Sequence, residues 1–204
     1  MSNKDRLWTR SFISASIGNF LLFFAFYLLV PVFPLYLIEK YHDSKTLIGI
    51  ILSSYTLAAL LIRPFAGFVL DMVYRKPVYL IAFFLFVITF VGYPLANSIG
   101  LFLFFRILHG FTFGFVTTAG NSLIVDIMPA SRRGEGLGYF GVANNLAMAV
   151  GPMTGLFLHD SYSFDVIFYT AIGSRLKCFL FSSTIKKKNM SDKFNKNPIS
   201  FNRI

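Results

Sequence analysis

Apolar residues fall along this chain in long unbroken runs rather than in alternation or in a single helical stripe. Six stretches, 11–38, 46–70, 78–96, 99–126, 136–158 and 164–182, approach or exceed the roughly 20 mostly apolar residues that cross a bilayer as a helix. Runs such as LLFFAFYLLV and YLIAFFLFVITF show none of the strict alternation of barrel strands, so each stretch predicts a helix. Short polar connectors separate them: EKYHDSK, DMVYRKP, Asn97-Ser98, IMPASRRGE and HDSYS. The first stretch begins near Phe12 behind Lys4, Arg6 and Arg10. It is far longer than the roughly 7–15 apolar residues of a signal peptide and predicts a retained first span. The expected fold class is an all-α membrane protein: residues 1–10 as a cytoplasmic amino terminus, a six-transmembrane-helix bundle over 11–182, and a basic, disordered cytoplasmic tail over 183–204.

Composition agrees with the pattern. Of 204 residues, 55% are hydrophobic and 14% charged, with a mean hydropathy of +0.64. A soluble globule of this size has too little interior for that apolar surface, and a disordered chain would be poor in aromatics. Most of the Lys and Arg behind the net charge of +10 lie at the chain ends and in the connectors, so they report membrane orientation rather than nucleic-acid binding. Thirteen Lys and Arg fall on the side of the amino terminus, the second and fourth connectors and the tail, against Lys40 and Lys45 opposite. Both termini are therefore expected in the cytoplasm. The lone Cys178 excludes an internal disulfide, and no Cys/His cluster has zinc spacing, so no cofactor or metal is expected.

Charges within the runs carry the candidate chemistry. Gly49, Ser53, Thr56, Arg63, Gly67 and Asp71 share one helical stripe, as do Arg106, Gly110, Phe113, Thr117 and Gly120, with His109 beside Arg106. Such stripes suit a bundle interior or a water-filled cavity, because lipid penalises them. Arg63 lies two turns from a cytoplasmic end and fits snorkelling as well as an internal role. Arg106, about 10 Å along the axis from Ile99, favours an internal role over snorkelling. His109 reads as a packed neutral imidazole ahead of a titrating group. Arg175 and Lys177 interrupt the sixth run, as if that helix were shortened or poorly made, and the sequence past Ser174 resembles a shifted reading frame.

The fifth run sets Gly134, Gly138, Gly141, Asn145, Met148, Pro152 and Gly155 on one stripe. Small residues allow close helix approach, and Pro152 after Gly151 offers a pivot. Gly136, Gly138 and Gly141 match G-x-G-x-x-G, but a dinucleotide site needs a preceding strand, which is missing here. His42, His109 and His159 lie on different segments and form no catalytic set, so no enzyme is expected.

These residues resemble the major facilitator superfamily of secondary transporters. Gly67, Asp71, Arg75 and Lys76 are similar to its G-x-x-x-D-R-x-G-R-K loop, with Met72 and Tyr74 departing from it. Arg106, Gly110 and Gly114 resemble the R-x-x-x-G signature of proton-coupled members. Gly151, Pro152 and Gly155 resemble the antiporter helix-five motif, with Leu156 replacing its second glycine. Asp126, Pro129, Arg133, Gly134 and Gly138 are similar to its D-x-x-P-x-x-x-R-G segment, and Pro31, Pro34 and Tyr36 to the end of its first helix.

The resemblance covers residues 11 to about 174 and implies one six-helix half of a twelve-helix transporter. It implies proton-coupled efflux of a small organic molecule from a bacterial plasma membrane. The transport and coupling candidates are Arg106, His109, Arg63 and Asn145. The implied gating loop is Gly67, Asp71, Arg75, Lys76 and Arg133, and the implied pivot is Gly151, Pro152 and Gly155. The expected partners are the lipid bilayer, a small-molecule substrate, protons, and a missing carboxy-terminal half or a second copy. No nucleic acid is expected. The alternatives are a truncated, non-transporting membrane fragment and a homodimer of halves.

Overall fold

A computed structural model describes residues 6–41 and 44–185. Lys4 and the tail from 186 onward, which enter the orientation and tail expectations, and His42, one of the three scattered histidines, lie outside the described residues. The described chain forms seven helices and no strand: α1 (Arg10–Leu29), α2 (Val32–Tyr41), α3 (Lys45–Met72), α4 (Arg75–Leu95), α5 (Ile99–Ile127), α6 (Arg133–Ser161) and α7 (Phe164–Ser183), with a short 3₁₀ turn at Ala130–Arg132. Helices α1, α3, α4 and α5 are long and apolar enough to cross a membrane; α6 and α7 match them in length with more polar sequences.

Helix starts follow local chemistry. Thr9, Ser44 and Ser98 sit in extended conformation, and their hydroxyl oxygens accept from the amides of Phe12, Leu47 and Leu101 at 3.2, 3.3 and 3.2 Å. Each thereby satisfies one amide that a first turn leaves unpaired. Where one continuous helix is expected over 11–38, the structure has two. Pro31 has no N–H for the Tyr27 carbonyl, which accepts instead from Val30, 3.3 Å away in a tighter turn. Pro34 then falls in the first turn of α2, where a missing donor costs nothing. Pro64, Pro94 and Pro152 lie inside helices that run on through them.

Two tightly packed pairs, α3 with α5 and α1 with α6, form the frame, and α4 and α7 join them by packing on each other, on α5 and on α1 respectively. α2 is fastened to the end of α4, where the Ala96 carbonyl accepts from Lys40 Nζ at 3.0 Å and from the Tyr41 hydroxyl at 2.8 Å. The core is aromatic, with Phe83, Phe86, Phe90, Tyr93 and Phe102 fully enclosed. The outside is apolar as well: Leu57, Phe65, Phe68, Ile81, Met153 and Tyr169 are all more than half exposed. A surface of this kind is solvated by acyl chains, not water.

α7 does not end or fray at Ser174. Ile167, Phe168, Ala171, Arg175, Cys178 and Ser182 lie buried along one face of an unbroken helix. The Ser182 hydroxyl pairs with that of Tyr79 at 3.0 Å, and Cys178 Sγ donates to the Gly18 carbonyl at 2.9 Å. Cys178 is therefore expected to resist a membrane-permeant maleimide in the folded chain and to react fully once denatured. Rapid labelling of the folded form would mean that α7 is not seated on α1.

Candidate functional site

α5 carries Arg106 and His109 one turn apart, and its neighbours decide their surroundings. Gly110 and Gly114, on the same face, have no room for a Cβ: at Gly110 it would strike the Tyr55 carbonyl of α3, and at Gly114 the Ala59 carbonyl. That close approach brings Tyr55 over the polar pair. The Arg106 guanidinium lies between the rings of Phe33 and Tyr55, 4.6 and 4.5 Å from their centroids. His109 stacks on Phe86 at 4.6 Å, and its Nδ1 pairs with the Tyr93 hydroxyl at 3.0 Å. Arg175 reaches in from α7 over Phe90 at 3.7 Å and Phe86 at 5.1 Å. Both arginines and His109 are buried. Arg106 thus faces the bundle interior instead of snorkelling, and Arg175 belongs to the core.

A second cluster sits at the opposite end of α5, near the second and fourth connectors. Arg75 Nη1 donates to both carboxylate oxygens of Asp126 at 3.0 Å, while Asp71 lies 3.6 Å from Nη2 with its side chain 78% exposed. Lys76 Nζ donates to the Ser183 carbonyl at 3.1 Å, tying the start of α4 to the end of α7. Beside this cluster opens a cleft of about 540 Å³ lined by Arg63, Arg75, Thr117, Thr118, Asn121 and Ser122. Arg132 makes two hydrogen bonds to Glu135 at 2.8 and 2.7 Å, which hold that carboxyl below the usual range.

The structure brings Arg106 and His109 together and places Arg63 and Asn145 elsewhere. Arg63 is exposed at the cleft and Asn145 is exposed on α6. Gly67 and Arg133 do not join the Arg75–Asp126 pair: Gly67 has nothing near its Cβ position, and Arg133 is exposed. The helix-five stripe divides. Gly134, Gly138 and Gly141 face open space, whereas Gly151 and Gly155 press against Tyr27 and Leu28 of α1, with the partly buried Pro152 between them. Sequence reasoning did not select Tyr55, Tyr93, the role of Asp126 as partner of Arg75, or the inward placement of Arg175. For Arg175 a signal existed, because it falls in step with Ala171, Cys178 and Ser182.

Comparison with known proteins gives this geometry its family. The family model described as Major Facilitator Superfamily matches residues 15–196. The chain belongs to that superfamily. It is 26% identical over 180 residues to the quinolone resistance protein NorA of Staphylococcus aureus, covering 87% of this chain and 46% of NorA. It is 32% identical over 176 residues to the multidrug resistance protein MdtG of Escherichia coli, covering 84% of this chain and 43% of MdtG. The crystal structure of the human organic anion transporter MFSD10 superposes with a TM-score of 0.74 at 20% identity, over 91% of this chain and 48% of that one. The chain thus spans somewhat under half the length of these relatives. It is a multi-pass membrane protein of a transporter family, with the fold of one part of a larger transporter.

Proposed function

We propose that this Major Facilitator chain supplies the amino-terminal half of a proton-coupled exporter of small organic molecules. The observation that carries the reading is its match to NorA and MdtG, a quinolone and a multidrug resistance protein, over somewhat under half of each. In this reading α1 and α2 together make one broken span, and α3 to α7 supply five more. The count of Lys and Arg favours both termini in the cytoplasm, and the bacterial relatives favour a bacterial plasma membrane for the bundle. Substrate passes at the midplane, between this half and a second six-span half or a second copy. The small-residue contact of Gly151 and Gly155 with α1, just before its break, is where the bundle pivots, with Pro152 beside it. Arg106 and His109 place charge and hydrogen-bonding capacity within reach of that pathway, and the exposed Asp71 is the latch toward the other half. Arg63 and Asn145 contribute polar contacts from the cleft and from α6.

The test is proton-driven uptake of a fluorescent cationic dye by everted membrane vesicles containing the chain. Uptake above that of empty vesicles, abolished by an uncoupler and lowered about tenfold or more in Arg106→Ala (~1.4 kcal/mol in the barrier), is the expected result. Rates equal to those of empty vesicles would instead support a fragment that does not transport. Unchanged uptake in Arg106→Ala would remove that residue from the pathway.

A further inference from the structure

One cation within the apolar span of α3 faces a cleft and meets no acidic partner there. Arg63 lies nine residues before Met72, the end of α3, and so about 13 Å inside it along the axis. It is exposed and lines the cleft of about 540 Å³ beside the Arg75–Asp126 pair. Among the described residues it forms no ion pair. A charge at such depth is costly, and where no protein group answers it, it marks a functional site.

The other residues of the cleft define what would answer it. None of those lining it is acidic. Arg75 lines it too, but its Nη1 already donates to both carboxylate oxygens of Asp126 at 3.0 Å, which leaves Arg63 as the charge without a counterpart. Thr117, Thr118, Asn121 and Ser122 recur on one face of α5 at helical steps. The two threonine hydroxyls donate within the helix, to the Phe113 and Gly114 carbonyls at 2.9 and 2.8 Å. Asn121 and Ser122 make no side-chain hydrogen bond among the described residues, so their amide and hydroxyl keep their donors for a ligand. Phe23 and Phe113, edge to face with centroids 6.0 Å apart, add an apolar wall.

We propose that this cleft binds an organic acid with an apolar body, its carboxylate on Arg63 and its body against Phe23 and Phe113. The guanidinium fork matches the two oxygens of a carboxylate, and a cleft of this volume suits a small organic molecule rather than a bare ion. Zwitterions belong to the same class, since only the acidic group meets Arg63. That the bound acid is also the transported molecule rests on the exporter reading; binding to the folded chain does not.

The experiment is isothermal titration of the purified full chain, in a neutral detergent at pH 7, with a naphthoate and with the corresponding naphthamide. The two probes share a shape and differ in charge, and titrations of protein-free micelles are subtracted. Naphthoate should bind about tenfold or more tighter than naphthamide, the difference that a charge-assisted pair makes. Arg63→Gln should bind both with the Kd that the parent chain shows for naphthamide, and Arg63→Lys should keep naphthoate ahead. Equal Kd values for the two probes on the parent chain would overturn the proposal, as would a preference that persists unchanged in Arg63→Gln. A naphthoate preference in a chain whose vesicles show no uptake would uphold the site and count against the exporter reading alone.

Discussion

Replacing Gly155 by alanine is expected to destabilise the chain by about 1–3 kcal/mol, the usual cost of overpacking a filled interior. The same change at Gly138 should stabilise it by roughly 0.5–1 kcal/mol, the helix-interior gain of alanine over glycine. The two glycines lie on one helix and differ in what they face. A Cβ at Gly155 meets the backbone carbonyl of Leu28, which cannot swing aside as a side-chain end would, and Val32 stands behind it. A Cβ at Gly138 meets nothing within 4 Å. Gly155→Leu should exceed the alanine cost and separate α1 from α6, the second of the two tight pairs in the frame. Thermal unfolding followed by circular dichroism in detergent gives the sign at each site. If Gly155→Ala proves as stable as Gly138→Ala, the α1–α6 contact does not form at that height.

The same contrast marks how far the sequence could be read. Periodicity places Gly134, Gly138, Gly141 and Gly155 on one stripe because 3.6 residues complete a turn. It says nothing of whether a neighbouring helix reaches the stripe at each height. α1 reaches it only around Tyr27 and Leu28, so one predicted surface became a contact at one end and an open face at the other. Helical class, the apolar runs and an interior Arg106 were legible because lipid permits few alternatives for backbone and charge. The break at Pro31 was not, since a proline kinks some helices and lies quietly in others. Pro64, Pro94 and Pro152 all sit inside continuous helices here.

Arg175 was misread for a related reason. A lone charge in an apolar run costs about 2.5–3.5 kcal/mol by insertion scales, which made a damaged helix the simpler reading. That cost assumes lipid around the side chain. In the structure Arg175 has aromatic faces of α4 instead, on a helix whose buried face continues past it to Cys178 and Ser182. Only the tertiary partner distinguishes the two cases, and the chain contributes that partner from about 85 residues upstream, at Phe86 and Phe90.

Truncating Asp126 is expected to cost about 2–4 kcal/mol, near the range for breaking a buried ion pair by removing one partner. Its side chain is 19% exposed and that of Arg75 25%, so solvent compensates only in part, and Arg75 loses both 3.0 Å hydrogen bonds together. Asp71→Ala should cost ~0–1 kcal/mol, as for exposed pairs, because its carboxylate is 78% exposed and 3.6 Å from the same guanidinium. Asp126→Leu combined with Arg75→Met should recover most of the loss of Asp126→Ala, since no uncompensated charge remains. A double-mutant cycle by denaturant unfolding measures this coupling, and additive losses at positions 75 and 126 would show that the two groups do not act as a pair. The asymmetry bears on the loop. Asp126 engages Arg75 from within the bundle and leaves Asp71 weakly held at the surface. A latch toward a second half needs a carboxylate that breaks no strong internal bond when it finds its partner. Of the two acids beside Arg75, Asp71 meets that condition and Asp126 does not.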